Sequence, residues 1–339
     1  MTSTPTTTHP AIELTALVRA GRLSTSIAVA ARLGVADHLV DRPLGADELA
    51  ERVGADPQAL YRVLRLCANA GVFAELQGRR FGQTRLSELL RGDREDSMRG
   101  LAMLFESPFL RAAWTELHTA VRTGGRAFDR AHGIPLFDYL TEHPDDAAVF
   151  DAAMVGASRQ LIAAVLDAYD FSGFRTVVDV GGGNGALLAL ILAGNPDARG
   201  ILCDLPAVAD RAPALLADAG VADRCDVVAG DFFESVPTGG DAYVLTQIIH
   251  DWDDEAATRI LTNCRAAMHD DARLLLGEAV LPDGPERSLV RFIDVEMLVI
   301  GGRERTESEY RELLARAGLR LTRVVPSDLL HSVVEAVPE

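Results

Sequence analysis

Thr176-Val177-Val178-Asp179-Val180-Gly181-Gly182-Gly183-Asn184-Gly185 is the stretch that decides the fold. Its first half is a β-branched apolar run, the composition of a strand buried on both faces. Its second half is a glycine cluster, where the backbone can take positive φ and pass close to a ligand. Ala186 to Ala193 follows as an apolar helix. Downstream, 200–203 (GILC), 225–228 (CDVV), 243–245 (YVL) and 273–276 (RLLL) repeat the strand pattern, with helical stretches between. This alternation predicts an α/β fold, a Rossmann-like doubly wound parallel sheet. Ligands in such sheets bind beyond the carboxyl ends of the strands. Asp179, Asp204, Asp231 and Glu278 all fall at such ends.

Upstream of this half the texture is helical. Apolar residues from Ile12 to Leu33 recur at helical spacing, with Gly34 as the expected stop. Ala46–Val53 reads as a short helix ended by Gly54. Asp56 and Pro57 then supply an N-cap and first position for another helix, with Leu60, Val63, Leu64 and Cys67 as its buried stripe. Gly71 stops it, and 72–82 reads as a hairpin turning at Gln77-Gly78. Helix, helix, hairpin is a winged-helix pattern. Its second helix offers only Arg62 and Arg65 as basic residues, so dimerisation or capping of a substrate fits it better than DNA recognition. The expected domains are 1–97, winged-helix-like; 98–165, a helical linker and pocket segment; and 166–339, the sheet. Most aromatics in 98–170 read as core. Residues 1–10 (MTSTPTTTHP) carry neither a basic nor an apolar signal region and read as a frayed tail.

Composition narrows the function. The 339 residues are 48% apolar and 24% charged, an ordinary globular balance with room for two domains. The net charge of −17 opposes binding to phosphate backbones and to anionic lipid. All 33 basic residues are Arg, which excludes Schiff-base, pyridoxal-phosphate and P-loop lysine chemistry. The four cysteines, 67, 203, 225 and 264, are scattered and suit a reduced cytoplasmic protein. No continuous apolar run approaches the ~18–20 residues of a membrane span.

The glycine loop alone is ambiguous, because with Ala186 it also fits a dinucleotide-binding pattern. Asp179, just before the glycines, favours a positively charged ligand. A carboxylate there repels pyrophosphate but suits the amino group or sulfonium of S-adenosylmethionine. Asp204 can accept both hydroxyls of a ribose. Asp231 can accept from an adenine amino group, with Phe232 packing on the base. His250, at the carboxyl end of the fourth strand, is a candidate general base, and a carboxylate on its far nitrogen would fix its tautomer.

Together these residues resemble S-adenosylmethionine-dependent O-methyltransferases of the plant caffeate type and their bacterial natural-product counterparts. The resemblance runs through DVGGGNG (179–185), CDLP (203–206), GDFF (230–233), HDWDDE (250–255), GEAVLP (277–282) and GGRERT (301–306). It implies that Gly181, Gly183, Ser158, Asp179, Asp204, Leu205, Asp231, Phe232, Thr246 and Trp252 contact the cofactor. It implies His250 as the catalytic base, flanked by Glu278 and Glu304. Asp251, Met154 and Met297 match positions around the acceptor, and Met103, Phe105, Trp114 and Phe150 are further candidates for an apolar pocket. Thr246 stands where plant members carry Lys. The resemblance also implies a homodimer through the N-terminal domain. The expected reaction is methyl transfer from S-adenosylmethionine to a phenolic hydroxyl, leaving S-adenosylhomocysteine, with no metal. A non-methylating homologue that hydroxylates or decarboxylates, and a ligand-sensing winged-helix regulator, are the alternatives.

Overall fold

The computed structural model describes residues 9–339, so the tail expected at 1–10 lies outside the described residues except for its last two. His9 is in fact the N-cap of a helix, Pro10–Val18. The chain divides into two compact units. One takes in the chain up to Ala112 together with Phe137–Arg159; the other comprises Ala113–Leu136 and Gln160–Glu339.

In the first unit the single helix expected over 11–33 is two, Pro10–Val18 and Ala20–Arg32, broken at Arg19. Ala46–Val53 and Pro57–Asn69 form as the caps dictate, and Asp56 accepts from the Ala59 amide at 2.8 Å. Leu60, Leu64 and Cys67 are buried and Val63 is half-buried. Strands Ala74–Leu76 and Arg80–Gly82 make the hairpin, joined at its edge by Leu44–Gly45. These elements close one apolar core around Leu39, Leu49, Leu64, Phe73 and Phe81.

The second unit is built on a seven-stranded sheet. Its strands are β1 (Thr176–Val180), β2 (Arg199–Asp204), β3 (Cys225–Ala229), β4 (Ala242–Thr246), β5 (Arg273–Glu278), β6 (Leu319–Pro326) and β7 (Ser332–Pro338). The spatial order is β6-β7-β5-β4-β1-β2-β3. Strands β1 to β5 are parallel, as expected. The sheet is nevertheless not wholly parallel: β7 runs antiparallel to β5, and β6 antiparallel to β7. A tight hairpin between β6 and β7 leaves no room for a crossover helix, which forces the antiparallel pairing.

Alternate residues feed opposite faces. Val178, Val180, Tyr243 and Leu274 join a core with Ile260, Leu261 and Leu313. Val177, Val244 and Leu275 join another with Leu188, Ile191 and Leu192. The chain order reverses between β1 and β4, so the crevice for a ligand opens at their carboxyl ends.

Of the aromatics in 98–170, Phe109, Phe128 and Tyr169 are buried and Tyr139 and Phe150 half-buried, while Phe105, Trp114 and Phe137 are exposed. Helix Pro144–Ala168 contains an 18-residue stretch of mean hydropathy 1.4, long and apolar enough by length and composition to cross a membrane. Asp151, Arg159 and Asp167 interrupt it, so it is not a continuous apolar run, while alanine and valine keep its average high.

Candidate active site

The loop after β1 and the loop after β4 meet at the reversal point. Gly181 has φ +70°, a conformation that strains other residues, and a Cβ there would lie 2.6 Å from the end of the Ile248 side chain, which would have to move. The Gly181 amide donates to the Cys203 carbonyl at 2.8 Å, tying the loop to β2. The Gly183 and Leu205 amides donate to the two Asp204 oxygens at 2.8 and 2.7 Å. Asp204 is thereby fixed at the mouth of the crevice, with burial raising its carboxyl above the usual range.

Asp179 lies deeper. It is 1% exposed, and neither carboxylate oxygen has a hydrogen-bond partner. Burial, reinforced by the Asp204 charge, pushes it up to about 7. On the far side, Asp231 accepts from the Phe233 amide at 2.8 Å in a local turn. Phe232 and Phe233 both meet Trp252 edge-on, with ring centres 6.3 and 4.7 Å apart. Asn263 donates to the Phe232 carbonyl at 2.8 Å and anchors this aromatic corner. Thr246 ends β4, half-buried, and Leu205 is 51% exposed.

His250 stands on a short 3₁₀ turn, Ile249–Asp251, and is buried. Its Nδ1 lies 2.9 Å from Glu304 Oε1, and its Nε2 lies 3.5 Å from Asp251 Oδ1. Glu304 is also buried, so this pair sits in a low dielectric. Glu278 does not pair with the imidazole. Its Oε1 accepts instead from the Ile248 and Ile249 amides, at 3.2 and 2.9 Å, and so holds the backbone that carries His250. Burial pulls the imidazole down, but the Glu304 hydrogen bond and the charges of Glu278, Asp251 and Glu304 outweigh it and hold His250 up at about 10. Burial pushes Glu278 up to about 7. Nδ1 is committed to Glu304, so Nε2 is the nitrogen that can exchange a proton with a ligand.

The segment that supplies Glu304 is pressed onto the His250 loop along its length. A Cβ on Gly302 would lie 2.1 Å from the His250 carbonyl oxygen, so only glycine allows this approach. Arg303 donates its amide to the same carbonyl at 2.8 Å. Glu304 donates its amide to Asp294 at 3.1 Å. Arg305–Thr306 then pairs in parallel with Val280–Leu281, just past β5, which brings Glu304 beside Glu278. The Arg305 side chain, fully buried, donates to the Ile249 and Trp252 carbonyls, each at 2.9 Å, and to Asp254 Oδ1 at 2.8 and 3.1 Å. Sequence reasoning missed Arg305, Gly302 and Asp294. The GGRERT string was visible, but nothing in it marks one arginine among 33 basic residues as buried.

The second unit thus gathers Asp179, Gly181, Gly183, Asp204, Leu205, Asp231, Phe232, Thr246, His250, Asp251, Trp252, Glu278 and Glu304 around the carboxyl ends of β1 to β5. Met297 is buried on helix Val290–Ile300 of the same unit, and Trp114 is 37% exposed. Met103, Phe105, Phe150, Met154 and Ser158 belong to the first unit. There Met103 packs on the core, and Phe150 meets Phe137 edge-on at 6.3 Å.

Residues 114–320 match the family model described as the O-methyltransferase domain, and residues 16–93 that described as the O-methyltransferase dimerisation domain. The chain is 46% identical over 317 residues to phenazine O-methyltransferase PhzM of Lysobacter antibioticus, covering 93% of each. It is 41% identical over 303 residues to the mitomycin biosynthesis 6-O-methyltransferase of Streptomyces lavendulae, covering 89% of this chain and 86% of that one. Among solved structures it resembles CalO1, a methyltransferase in calicheamicin biosynthesis in its S-adenosylhomocysteine-bound form. The TM-score is 0.90 at 35% identity, covering 97% of this chain and 98% of that one.

Proposed function

This chain belongs to the family of S-adenosylmethionine-dependent O-methyltransferases, and from that premise we propose that it methylates a phenolic hydroxyl of a small aromatic natural product, with His250 as general base and without a metal. The observation that carries the reading is the buried His250–Glu304 pair at the carboxyl end of the sheet, with Nε2 left to take a proton.

The crevice suits the cofactor. Asp179 is an unpaired buried carboxylate fit for a positive group, and Asp204 is held at the mouth where it can accept from hydroxyls. Asp231, Phe232 and Trp252 form a polar and aromatic corner fit for a base. When bound, S-adenosylmethionine supplies an electrophilic methyl group on a positive sulfur for the acceptor oxygen.

The chain supplies the rest. His250 takes the phenolic proton on Nε2 while Glu304 holds the ring and balances the charge it gains. A free phenol titrates near ~10. The carboxylates that raise His250 bring it toward the phenol's range, which lowers the cost of the transfer for the fraction of the protein whose ring is neutral. Asp251, at 3.5 Å from Nε2, marks where the acceptor's hydroxyl end arrives. Glu278 keeps the loop from drifting.

His250, Glu278 and Glu304 each offer a ligand atom within 4.8 Å of the others, which favours a metal-assisted variant as a second reading. We favour the metal-free route because Glu304 Oε1 is engaged by the His250 ring and Glu278 Oε1 by two backbone amides, which leaves one buried unpartnered oxygen on each carboxylate rather than a full set of ligands. The dimerisation-domain match and the exposed Ile12, Leu14, Leu17 and Val18 support a homodimer through the N-terminal domain. The net charge of −17 supports a protein that binds neither nucleic acid nor anionic membrane, and the four free cysteines suit a reducing cytoplasm.

The test is release of S-adenosylhomocysteine by purified protein supplied with S-adenosylmethionine and a panel of phenolic aromatics, with His250→Ala alongside. Release that needs both acceptor and His250 supports the proposal. Release abolished by a chelator supports the metal reading. Cofactor binding with no release across the panel favours the non-methylating alternative.

A further inference from the structure

We infer that Arg305 is a positioning residue for His250: its guanidinium, tied to the Ile249 and Trp252 carbonyls and to Asp254, holds the loop that carries the imidazole in register with Glu304. The inference rests on the reading of His250 as the base.

Geometry carries the argument. Arg305 is the largest fully buried side chain of the described residues. Its two carbonyl partners stand one residue before His250 and two residues after it, so one planar fork grips both shoulders of the turn. The carbonyls of 249–252 take donors from outside the turn as well as within it: the Ile249 carbonyl accepts the Trp252 amide at 3.3 Å, and the His250 carbonyl accepts the Arg303 amide at 2.8 Å. Arg305 supplies donors for two of them. Its backbone neighbour is Glu304, the residue that bonds Nδ1. The residue that aligns the ring and the residue that fixes the loop are therefore adjacent, Glu304 immediately before and Arg305 within the two-residue strand anchored on β5's extension. The outer end of the fork is held by Asp254, the first residue of helix Asp254–Ala267, whose carboxylate Arg303 and Arg316 also approach, each at 3.7 Å. Lysine could keep the charge but cannot reach two carbonyls and a carboxylate at once. Misplacement of a catalytic group by about 1 Å can cost on the order of 10²-fold in rate.

The test uses the full chain with Arg305→Lys, Asp254→Asn and a core control, Ile260→Val. Ile260 is buried on helix Asp254–Ala267, outside the proposed machinery. Two readouts are taken. One is the NMR titration of the His250 imidazole without cofactor, assigned by its loss in His250→Ala. The other is kcat and KM with an accepted phenol. Asp251, Glu278, Glu304 and His331, the titratable groups that act on or respond to His250, stay unchanged in all three. The expected result for Arg305→Lys is a kcat lowered about 10- to 100-fold, an acceptor KM little changed, and a His250 midpoint moved by a unit or more toward ordinary imidazole. Asp254→Asn shifts both the same way by less. Ile260→Val loses thermal stability and moves neither.

An unchanged titration and kcat in folded Arg305→Lys, or an equal shift in Ile260→Val, overturns the inference. If Arg305→Lys fails to fold, Asp254→Asn decides by the same two readouts. If no acceptor is methylated, the proposed function falls, while the titration still decides whether Arg305 positions His250.

Discussion

Two loops leave the carboxyl ends of neighbouring strands, and they are built on opposite plans. The glycine loop after β1 covers a carboxylate, Asp179, neither of whose oxygens has a hydrogen-bond partner among the described residues, whereas Glu278 and Glu304 beside the other loop each lack one for a single oxygen. The loop after β4 is gripped from outside by Gly302, Arg303, Glu304, Arg305 and Glu278. The contrast divides the labour. A buried acid pushed up to about 7 lowers stability near neutral pH, a cost that makes sense if a positive ligand supplies the missing partner. A proton-accepting ring must instead be oriented before the acceptor arrives, so the chain provides that orientation itself.

The contrast can be broken in order of expected effect. His250→Ala should lower kcat about 10²–10⁴-fold and leave cofactor binding nearly intact, as measured by calorimetry. Equal loss of binding would erase the division between the loops. Gly302→Ala comes next. Its Cβ would collide with the His250 carbonyl, so the clamp must open. We expect a loss of about 1–3 kcal/mol in denaturant unfolding, with turnover falling more than tenfold. Wild-type turnover in this variant would mean that the close approach is incidental.

Glu304→Gln sharpens the electrostatic half. Removing this charge lowers the His250 midpoint, so the acid limb of the kcat/KM profile moves to lower pH while the plateau falls. In the wild type, a histidine raised in the folded state adds stability fully present below its ordinary ~6.5 and lost as pH rises toward about 10. That stretch of the stability curve should flatten in the variant.

The smallest effect is expected at Asp179. A carboxyl raised in the folded state binds protons there more readily than in the unfolded chain, so stability falls as pH climbs from about 4 to 7. Asp179→Asn should therefore melt a few degrees higher than wild type at pH 8. The gap should narrow as pH falls below about 7, and cofactor affinity should weaken. A lower melting temperature at pH 8 would show that the carboxylate is satisfied in solution.

Much of this was legible before the fold was seen. The β-branched runs and the cap at Asp56-Pro57 are local signals, and β1 to β5 formed where those signals placed them. The antiparallel pair β6 and β7 went unread, although Leu319 and Leu321 alternate with Arg320 and Thr322 in the pattern of a strand. The candidate site was legible as a set of residue types at strand ends. Its wiring was not. Which acid reaches the imidazole depends on the short pairing of Arg305–Thr306 with Val280–Leu281, a contact far apart in the chain with no periodic signature. The buried state of Arg305 follows from the same fold-level event.

Buried carboxylates hold the His250 imidazole above its ordinary value. NMR titration of that ring in the protein without cofactor tests this directly. The expected midpoint lies well above the ordinary ~6.5, with the Nδ1 proton held by Glu304. A midpoint at or below that value, as desolvation alone would give, would contradict it.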